Sequence, residues 1–280
     1  MIPTGRFAPS PTGPLHLGSL VAAVCSSLLA RREGGRWLVR MEDLDAPRVI
    51  PGSAEEILAT LQRYGLEWDG EVVYQSRRSA LYEAALDTLR KQGLVYDCGC
   101  SRADLQRAAS APLGGEPIYP GTCRDGLPPG RVARAVRFRA SDEVIGFDDL
   151  LCGRIEARSD DFIVRRADGV FAYQLAVVVD DAGQGVTQVV RGRDLLSSTP
   201  RQIALQRALA LPTPEYAHLP LVTNPDGSKL GKRDGALPLP SLDEARVRET
   251  LDWARSFVED AIRSPLRAWR SEGTYFARPY

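Results

Sequence analysis

The chain of 280 residues carries 36 basic and 36 acidic side chains, with 44% apolar residues, 25 glycines and 20 prolines. Ordinary apolar content with balanced charge excludes a disordered chain, a collagen-like repeat and a disulfide-rich mini-scaffold. Zero net charge excludes a protein that coats nucleic acid through its field, while a local basic patch for a folded RNA stays open. The length suits one large domain with an insertion or appendage. The richest apolar stretch, Leu20 to Ala30, is broken by serines and falls short of the roughly 20 residues a membrane-spanning helix needs. No secretory leader is legible in Met1 to Arg6, so a cytoplasmic protein without a membrane segment is expected.

Thr4 to Ala8 reads as a short strand, and Pro9 to Pro14 as a loop too rich in proline for regular structure. A helix follows, with Ser19 as a possible cap, apolar residues from Leu20 to Leu29, then Arg31, Arg32 and a glycine stop at Gly34-Gly35. Trp37 to Met41 is a buried strand. Strand, helix and strand in so short a span make a β-α-β unit, whose ligands belong at the carboxyl ends of the strands. His16, Gly18, Ser19 and Glu42 fall at that edge.

Ile57, Leu58, Leu61 and Tyr64, and later Leu81, Ala85, Leu86 and Leu89, mark two covering helices at 53–64 and 79–92. From Ser110 to Gly130, ten of 21 residues are glycine or proline, an irregular loop in need of a staple. Val170 to Val179 and Val186 to Val190 read as two central strands, and Ser197-Ser198-Thr199-Pro200 as the start of a helix. Val247, Leu251, Ala254, Val258 and Ala261 trace a last amphipathic helix.

Two features concentrate chemistry. Lysine stands at only three positions, Lys91, Lys229 and Lys232, against 33 arginines, so the pair in Lys229-Leu230-Gly231-Lys232-Arg233 points to a site that wants a compact ammonium. Three of the five cysteines, Cys98, Cys100 and Cys123, gather around the irregular loop, which favours metal or free thiols over disulfides.

The run Arg6-Phe7-Ala8-Pro9-Ser10-Pro11-Thr12-Gly13-Pro14-Leu15-His16-Leu17-Gly18-Ser19 resembles the first signature of class I aminoacyl-tRNA synthetases, in the glutamyl and glutaminyl branch. Lys229 to Arg233 is similar to the second signature of that family, with Gly231 in place of its usual serine. Arg40 to Asp45, Tyr173 to Asp181 and Arg191 to Pro200 extend the resemblance over most of residues 3 to 235. Physically, a histidine at a helix N-terminus can hydrogen-bond a phosphate oxygen while the helix dipole favours negative charge.

The resemblance implies an α/β fold: a Rossmann-like parallel sheet with a zinc-bearing insertion, a short helical C-terminal segment and no anticodon-binding domain. Residues 1–95 and 161–212 would be the two halves of the catalytic domain, 96–160 the insertion, and 213–280 the second-signature loop with a helical segment. It implies that ATP, with Mg, is held by His16, Gly18, Ser19, Lys229 and Lys232, of which His16 and Lys232 are catalytic. L-glutamate would meet Arg6, Phe7, Ala8, Pro9, Ser10, Glu42, Tyr173 and Arg191. Arg191, helped by Arg6 and Tyr173, would take its γ-carboxylate and Glu42 its ammonium, with Arg6 against the α-carboxylate left open.

Three thiolates suit one structural zinc. The family likeness supplies Tyr119 as fourth ligand to Cys98, Cys100 and Cys123, while Cys152, Asp97 or water remain alternatives. After Arg233 only 47 residues follow, too few for an anticodon-binding domain. The likeness to short members of the family implies tRNA-independent activation of glutamate and its transfer to queuosine at the wobble position of tRNA(Asp), by a monomer. A truncated enzyme charging tRNA(Glu) and a non-enzymatic binding protein are the other readings.

Overall fold

The computed structural model describes residues 2–101, 103–104, 119–223, 239, 243–263 and the backbone of 275–276. Its centre is a seven-stranded sheet in the order β3-β2-β1-β9-β10-β6-β7. The strands are β1 (Thr4–Phe7), β2 (Arg36–Met41), β3 (Val73–Tyr74), β6 (Val144–Asp149), β7 (Gly153–Arg158), β9 (Gln188–Gly192) and β10 (Glu215–Leu219). All neighbours are parallel except the β6–β7 hairpin. Strands β4 (Val95–Cys98), β5 (Ala135–Phe138) and β8 (Phe162–Arg165) form a separate antiparallel sheet.

The chain forms the expected β-α-β unit. Helix α1 (Leu17–Arg32) links β1 to β2 and is apolar nearly all round, because it is buried against the sheet and against a late helix, Glu244–Arg263. Gly35 stands just before β2, where a Cβ would lie 2.3 Å from the Pro3 carbonyl oxygen. Only glycine lets the two strands pair from their first residues. Helices α2 (Ser53–Arg63) and α3 (Ser79–Lys91) bury the predicted faces, Ile57 and Leu61 in one and Leu86 and Leu89 in the other.

One element differs from the sequence reading. Residues Tyr173–Gly183 form a helix, α4, and not a strand. The run Leu175 to Val179 has β-branched residues without alternation, and periodicity alone does not separate a buried strand from a buried helix. Here Leu175, Ala176, Val177 and Val178 are all buried, in a core shared with α3, β5, β8 and the next helix, α5 (Thr199–Ala208), so an all-round apolar helix is satisfied. The expected strand at 186–190 is β9, the Thr199-Pro200 start opens α5, and the last amphipathic helix, α6, is Glu244–Arg263. Within the stretch 96–160, β5 pairs with β4 and β8, while the β6–β7 hairpin joins the parallel sheet beside β10.

Candidate functional site

The carboxyl ends of β1, β2, β9, β10 and β6 lie on one edge, and the candidate residues collect there. A cavity of about 390 Å³ is lined by Phe7, Ala8, Pro9, Ser10, His16, Gly18 and Ser19 from one side and by Gly192, Asp194, Leu219 and Val222 from the other. His16 caps α1: its Nδ1 accepts from the backbone N–H of Ser19 at 3.3 Å, which puts the proton of the neutral ring on Nε2. The expected cap was Ser19, but the helix begins two residues earlier, at Leu17, so the ring does the work of a hydroxyl. A Cβ on Gly18 would approach the His16 ring to 3.1 Å, so glycine is what leaves the ring room. The first turn holds no acidic side chain, and the positive end of the helix dipole is left to an anion. Lys229 and Lys232 lie outside the described residues.

Arg191 lies near the end of β9, one strand away, only 5% exposed. Its Nε donates to His218 Nε2 at 3.0 Å, Nη1 to Gln202 Oε1 at 2.8 Å and to the Tyr173 hydroxyl at 3.2 Å, and Nη2 to Thr199 Oγ1 at 2.8 Å. Those bonds use four of the five N–H donors of a guanidinium. Because Tyr173 accepts from Arg191, its own hydroxyl proton is available to an acceptor.

Arg6, Glu42 and their neighbours form a second cluster. Arg6 donates to Asp181 Oδ1 at 3.1 Å and to the Val190 carbonyl at 3.3 Å. Arg40, wholly buried, lies 2.8 Å from Asp181 and 3.5 Å from the Glu42 carboxylate. The Glu42 backbone N–H donates to the Pro9 carbonyl at 2.9 Å, which joins this cluster to the loop of the first cavity. Burial raises the Glu42 carboxyl above the usual carboxylate range, and Arg40 and Arg6 oppose that rise only in part. Burial also works against the Asp181 charge, but Arg6 and Arg40 outweigh it and hold Asp181 below the usual range. The structure thus sets a carboxylate and two arginines on neighbouring strand ends, the complement of an amino acid with a second carboxylate.

The thiols of Cys98, Cys100 and Cys123 come together with all three sulfurs within 4.8 Å of one another. Cys100 and Cys123 are 3.7 Å apart, and the Tyr119 hydroxyl lies 3.5 Å from Cys98 and 3.7 Å from Cys100. Four ligands placed tetrahedrally at about 2.3 Å from an ion stand roughly 3.8 Å apart, so the group fits a metal such as zinc. Burial disfavours the Cys98 thiolate, yet hydrogen bonds from the Cys100 backbone, Tyr119 and Arg137 lower its pKa overall. Arg137 also stacks 3.7 Å over the Tyr119 ring. Of the alternative fourth ligands, Asp97 is exposed, and Cys152 belongs instead to a group with Asp149 and His218.

Sequence reasoning missed Asp149, Thr199, Gln202 and His218 around Arg191, and Asp181 beside Arg6. His218, one of only two histidines, was the one available signal. The others are polar residues whose burial depends on packing between distant segments.

Residues 4–257 match the family described as tRNA synthetases class I (E and Q), catalytic domain. A glutamyl-Q tRNA(Asp) synthetase of Geobacter sulfurreducens is 62% identical over 241 residues, 84% of this chain and 77% of the relative. One of Neisseria meningitidis serogroup A is 52% identical over 278 residues, covering 90% and 94%. Among solved structures, a glutamate tRNA ligase from Elizabethkingia meningosepticum, in complex with its amino acid, is 30% identical with a TM-score of 0.74. That likeness covers 88% of this chain and 56% of the ligase.

Proposed function

The chain belongs to the class I (E and Q) family of tRNA synthetases, and on that premise we propose that it activates L-glutamate with ATP and transfers it to queuosine in tRNA(Asp). The observation that carries the reading is the arrangement of charge at the strand ends: Arg191 with Tyr173, and Glu42 backed by Arg40, beside a cavity headed by His16 at the start of a helix with no acidic side chain in its first turn. The remaining Nη2 hydrogen of Arg191 and the Tyr173 hydroxyl donate to the side-chain carboxylate of glutamate. Glu42 accepts from its ammonium, and Arg6, held by Asp181, adds positive potential. Phe7, Ala8, Pro9 and Ser10 form the wall between amino acid and nucleotide.

With both ends held, the α-carboxylate is directed at ATP. One of its oxygens bonds to the α-phosphorus, the bond from that phosphorus to the bridging oxygen breaks, and pyrophosphate leaves. The nucleophile is already ionised at neutral pH, so no general base is required. Positioning and charge stabilisation carry the step. His16 Nε2–H, the backbone N–H of Gly18, the Ser19 hydroxyl, and the ammonium groups of Lys229 and Lys232 meet the phosphates. Magnesium brought with ATP would neutralise part of the phosphate charge. In the second step a hydroxyl of the queuosine cyclopentene-diol attacks the acyl carbon. An ester forms, AMP leaves, and the hydroxyl proton passes to solvent.

Cys98, Cys100, Cys123 and Tyr119 would hold one structural zinc, which supplies a rigid cross-link between β4 and the segment before β5. The reaction is placed in the cytoplasm, in a monomer. Among the described residues no helix is long and apolar enough to cross a membrane.

The test is ATP–pyrophosphate exchange with glutamate, run without tRNA, alongside transfer of labelled glutamate to tRNA(Asp) with and without queuosine and to tRNA(Glu). Exchange without tRNA, with label only on the queuosine-bearing tRNA, is the expected result. Exchange that requires tRNA(Glu), with that tRNA charged, would overturn the proposal in favour of an ordinary charging enzyme.

A further inference from the structure

We propose that Asp149 and His218 are positioning residues, a carboxylate–imidazole relay that aims the Arg191 guanidinium into the amino-acid pocket. This rests on the reading that Arg191 receives the side-chain carboxylate of the substrate. The relay crosses three adjacent strands at their carboxyl ends: Asp149 closes β6, His218 lies near the end of β10, and Arg191 lies near the end of β9.

Each bond in the relay has only one possible direction. Asp149 Oδ1 accepts the backbone N–H groups of Leu151, Cys152 and His218 at 3.0, 2.9 and 3.2 Å. A carboxyl oxygen that accepts three N–H groups belongs to an ionised carboxylate. Its partner oxygen, Oδ2, lies 2.6 Å from His218 Nδ1, so Nδ1 is the donor. On the other side of the ring, Arg191 Nε always carries its hydrogen, and it sits 3.0 Å from His218 Nε2. Nε2 therefore accepts. The ring is neutral, with its proton on Nδ1, and both neighbours require that tautomer.

The remaining surroundings agree. The side chains of His218 and Asp149 are wholly buried. The Thr199 hydroxyl stands 3.2 Å from Nε2, the Tyr216 ring stacks parallel at 6.0 Å between centroids, and the Cys152 thiol lies 3.5 Å from the His218 carbonyl and hydrogen-bonds Asp149 as well. Burial and the nearby Arg191 charge keep the imidazole from protonating, although Asp149 opposes them. A metal ion does not account for the group of Asp149, Cys152 and His218. Nitrogen and oxygen ligands of a tetrahedral ion stand roughly 3.3 Å apart, whereas 2.6 Å is a direct hydrogen bond.

The consequence is orientational. Arg191 rotates about bonds along its whole length, and the acceptor at Nε joins Gln202, Tyr173 and Thr199 in fixing the plane of the fork. An acceptor at Nε sets where Nη2 points, and the acceptor is itself set by Asp149, from a hairpin on the far side of β10. The relay therefore links the β6–β7 turn to substrate recognition without touching substrate.

Two measurements test it. With only His16 and His218 in the chain, long-range 15N–1H spectra of the free protein at neutral pH resolve both rings. The expected His218 signature is the neutral Nδ1–H tautomer, and in Asp149→Asn, where the amide can donate, the Nε2–H form or loss of the bond to Arg191. In exchange assays Asp149→Asn and His218→Phe raise KM for glutamate by roughly tenfold or more, the size of one lost hydrogen bond to a charged group, with KM for ATP little changed. His218→Gln, whose amide oxygen can accept from Arg191, recovers part of the loss. A wild-type imidazolium or Nε2–H form, or equal rises in both KM values, would overturn the relay. If the wild-type protein shows no exchange with glutamate, the proposed function fails, and the tautomer still decides the relay.

Discussion

Glu42→Gln tests the proposed recognition of the substrate ammonium. The change is isosteric, and it removes one charge from a site whose carboxylate lies 3.5 Å from Arg40. Arg40 keeps Asp181 at 2.8 Å and Asp180 at 3.9 Å, so no buried cation is stranded and the fold is expected to survive. A hydrogen bond between charged groups contributes about 1.5–3 kcal/mol, which corresponds to roughly 10- to 150-fold in kcat/KM for glutamate. The assay is glutamate-dependent ATP–pyrophosphate exchange with KM for ATP measured in parallel, repeated with glutarate, which lacks the amine. In the wild type glutamate should be preferred over glutarate, and Glu42→Gln should remove most of that preference without altering KM for ATP. Because burial raises the Glu42 carboxyl, wild-type kcat/KM should fall on acidification at a higher pH than a solvent-exposed carboxylate would give, and this limb should vanish in the variant. An unchanged preference would refute the assignment of Glu42 to the ammonium.

Gly18→Ala should separate stability from activity. Alanine favours a helix by about 1 kcal/mol over glycine, but its Cβ would lie 3.1 Å from the His16 ring, so the melting temperature should hold or rise while KM for ATP increases; unaltered exchange kinetics would remove His16 from the nucleotide site. Purified protein should contain one zinc per chain by elemental analysis, and Cys123→Ser should lose it and melt earlier, whereas full zinc content in that variant would sink the ligand set. His218 titrates below its ordinary value in the folded protein, so the unfolded chain binds its proton first as pH falls below about 6.5. Stability in urea should therefore decline from pH 7 to pH 5.5, with a contribution from this residue of at most about 1.4 kcal/mol per pH unit. His218→Gln should flatten that part of the slope; an identical slope in the variant contradicts the buried neutral imidazole.

The β-α-β unit was legible because its signals are local: a proline-rich loop, a helix stop at Gly34-Gly35 and a compact apolar strand at Trp37–Met41. The thiol group was legible from spacing, since Cys98 and Cys100 already lie together in the chain. Helix α4 was not, because a helix buried on all sides loses the period that would mark it, and Val177, Val178 and Val179 favour a strand by propensity alone. Nor were the partners of Arg191. Gln202, on α5, follows it by 11 residues and His218 by 27, and it is the parallel pairing of β9 with β10, Arg191 opposite His218, that brings the histidine to it. The resemblance supplied Arg191 and Tyr173 as single residues, and the topology supplied the set of acceptors that orients them.

The arginine–carboxylate ladder beneath the site makes more sense as a device for orientation than for stability. Asp180 accepts from Gln75, Arg78 and Tyr82, while Asp181 is shared by Arg6 and Arg40, so α4 is tied by charge to β1, β2 and the start of α3. Taking such ions out of water costs several kcal/mol each, and an apolar replacement of equal volume is often as stable. Arg40 Nε and Nη2 even lack a hydrogen bond of good geometry among the described residues, which a network selected for stability alone would not tolerate. What an apolar core could not do is place a fixed positive charge behind Glu42 and a fixed negative charge behind Arg6. A buried carboxylate that must stay ionised to receive an ammonium needs a cation at its back, and a buried arginine needs an anion that does not move when substrate arrives. With Arg40 and Asp181 wholly or nearly buried, the charges at the mouth of the proposed site are set in advance of any ligand, and glutamate binding as proposed would require little reorganisation of the protein.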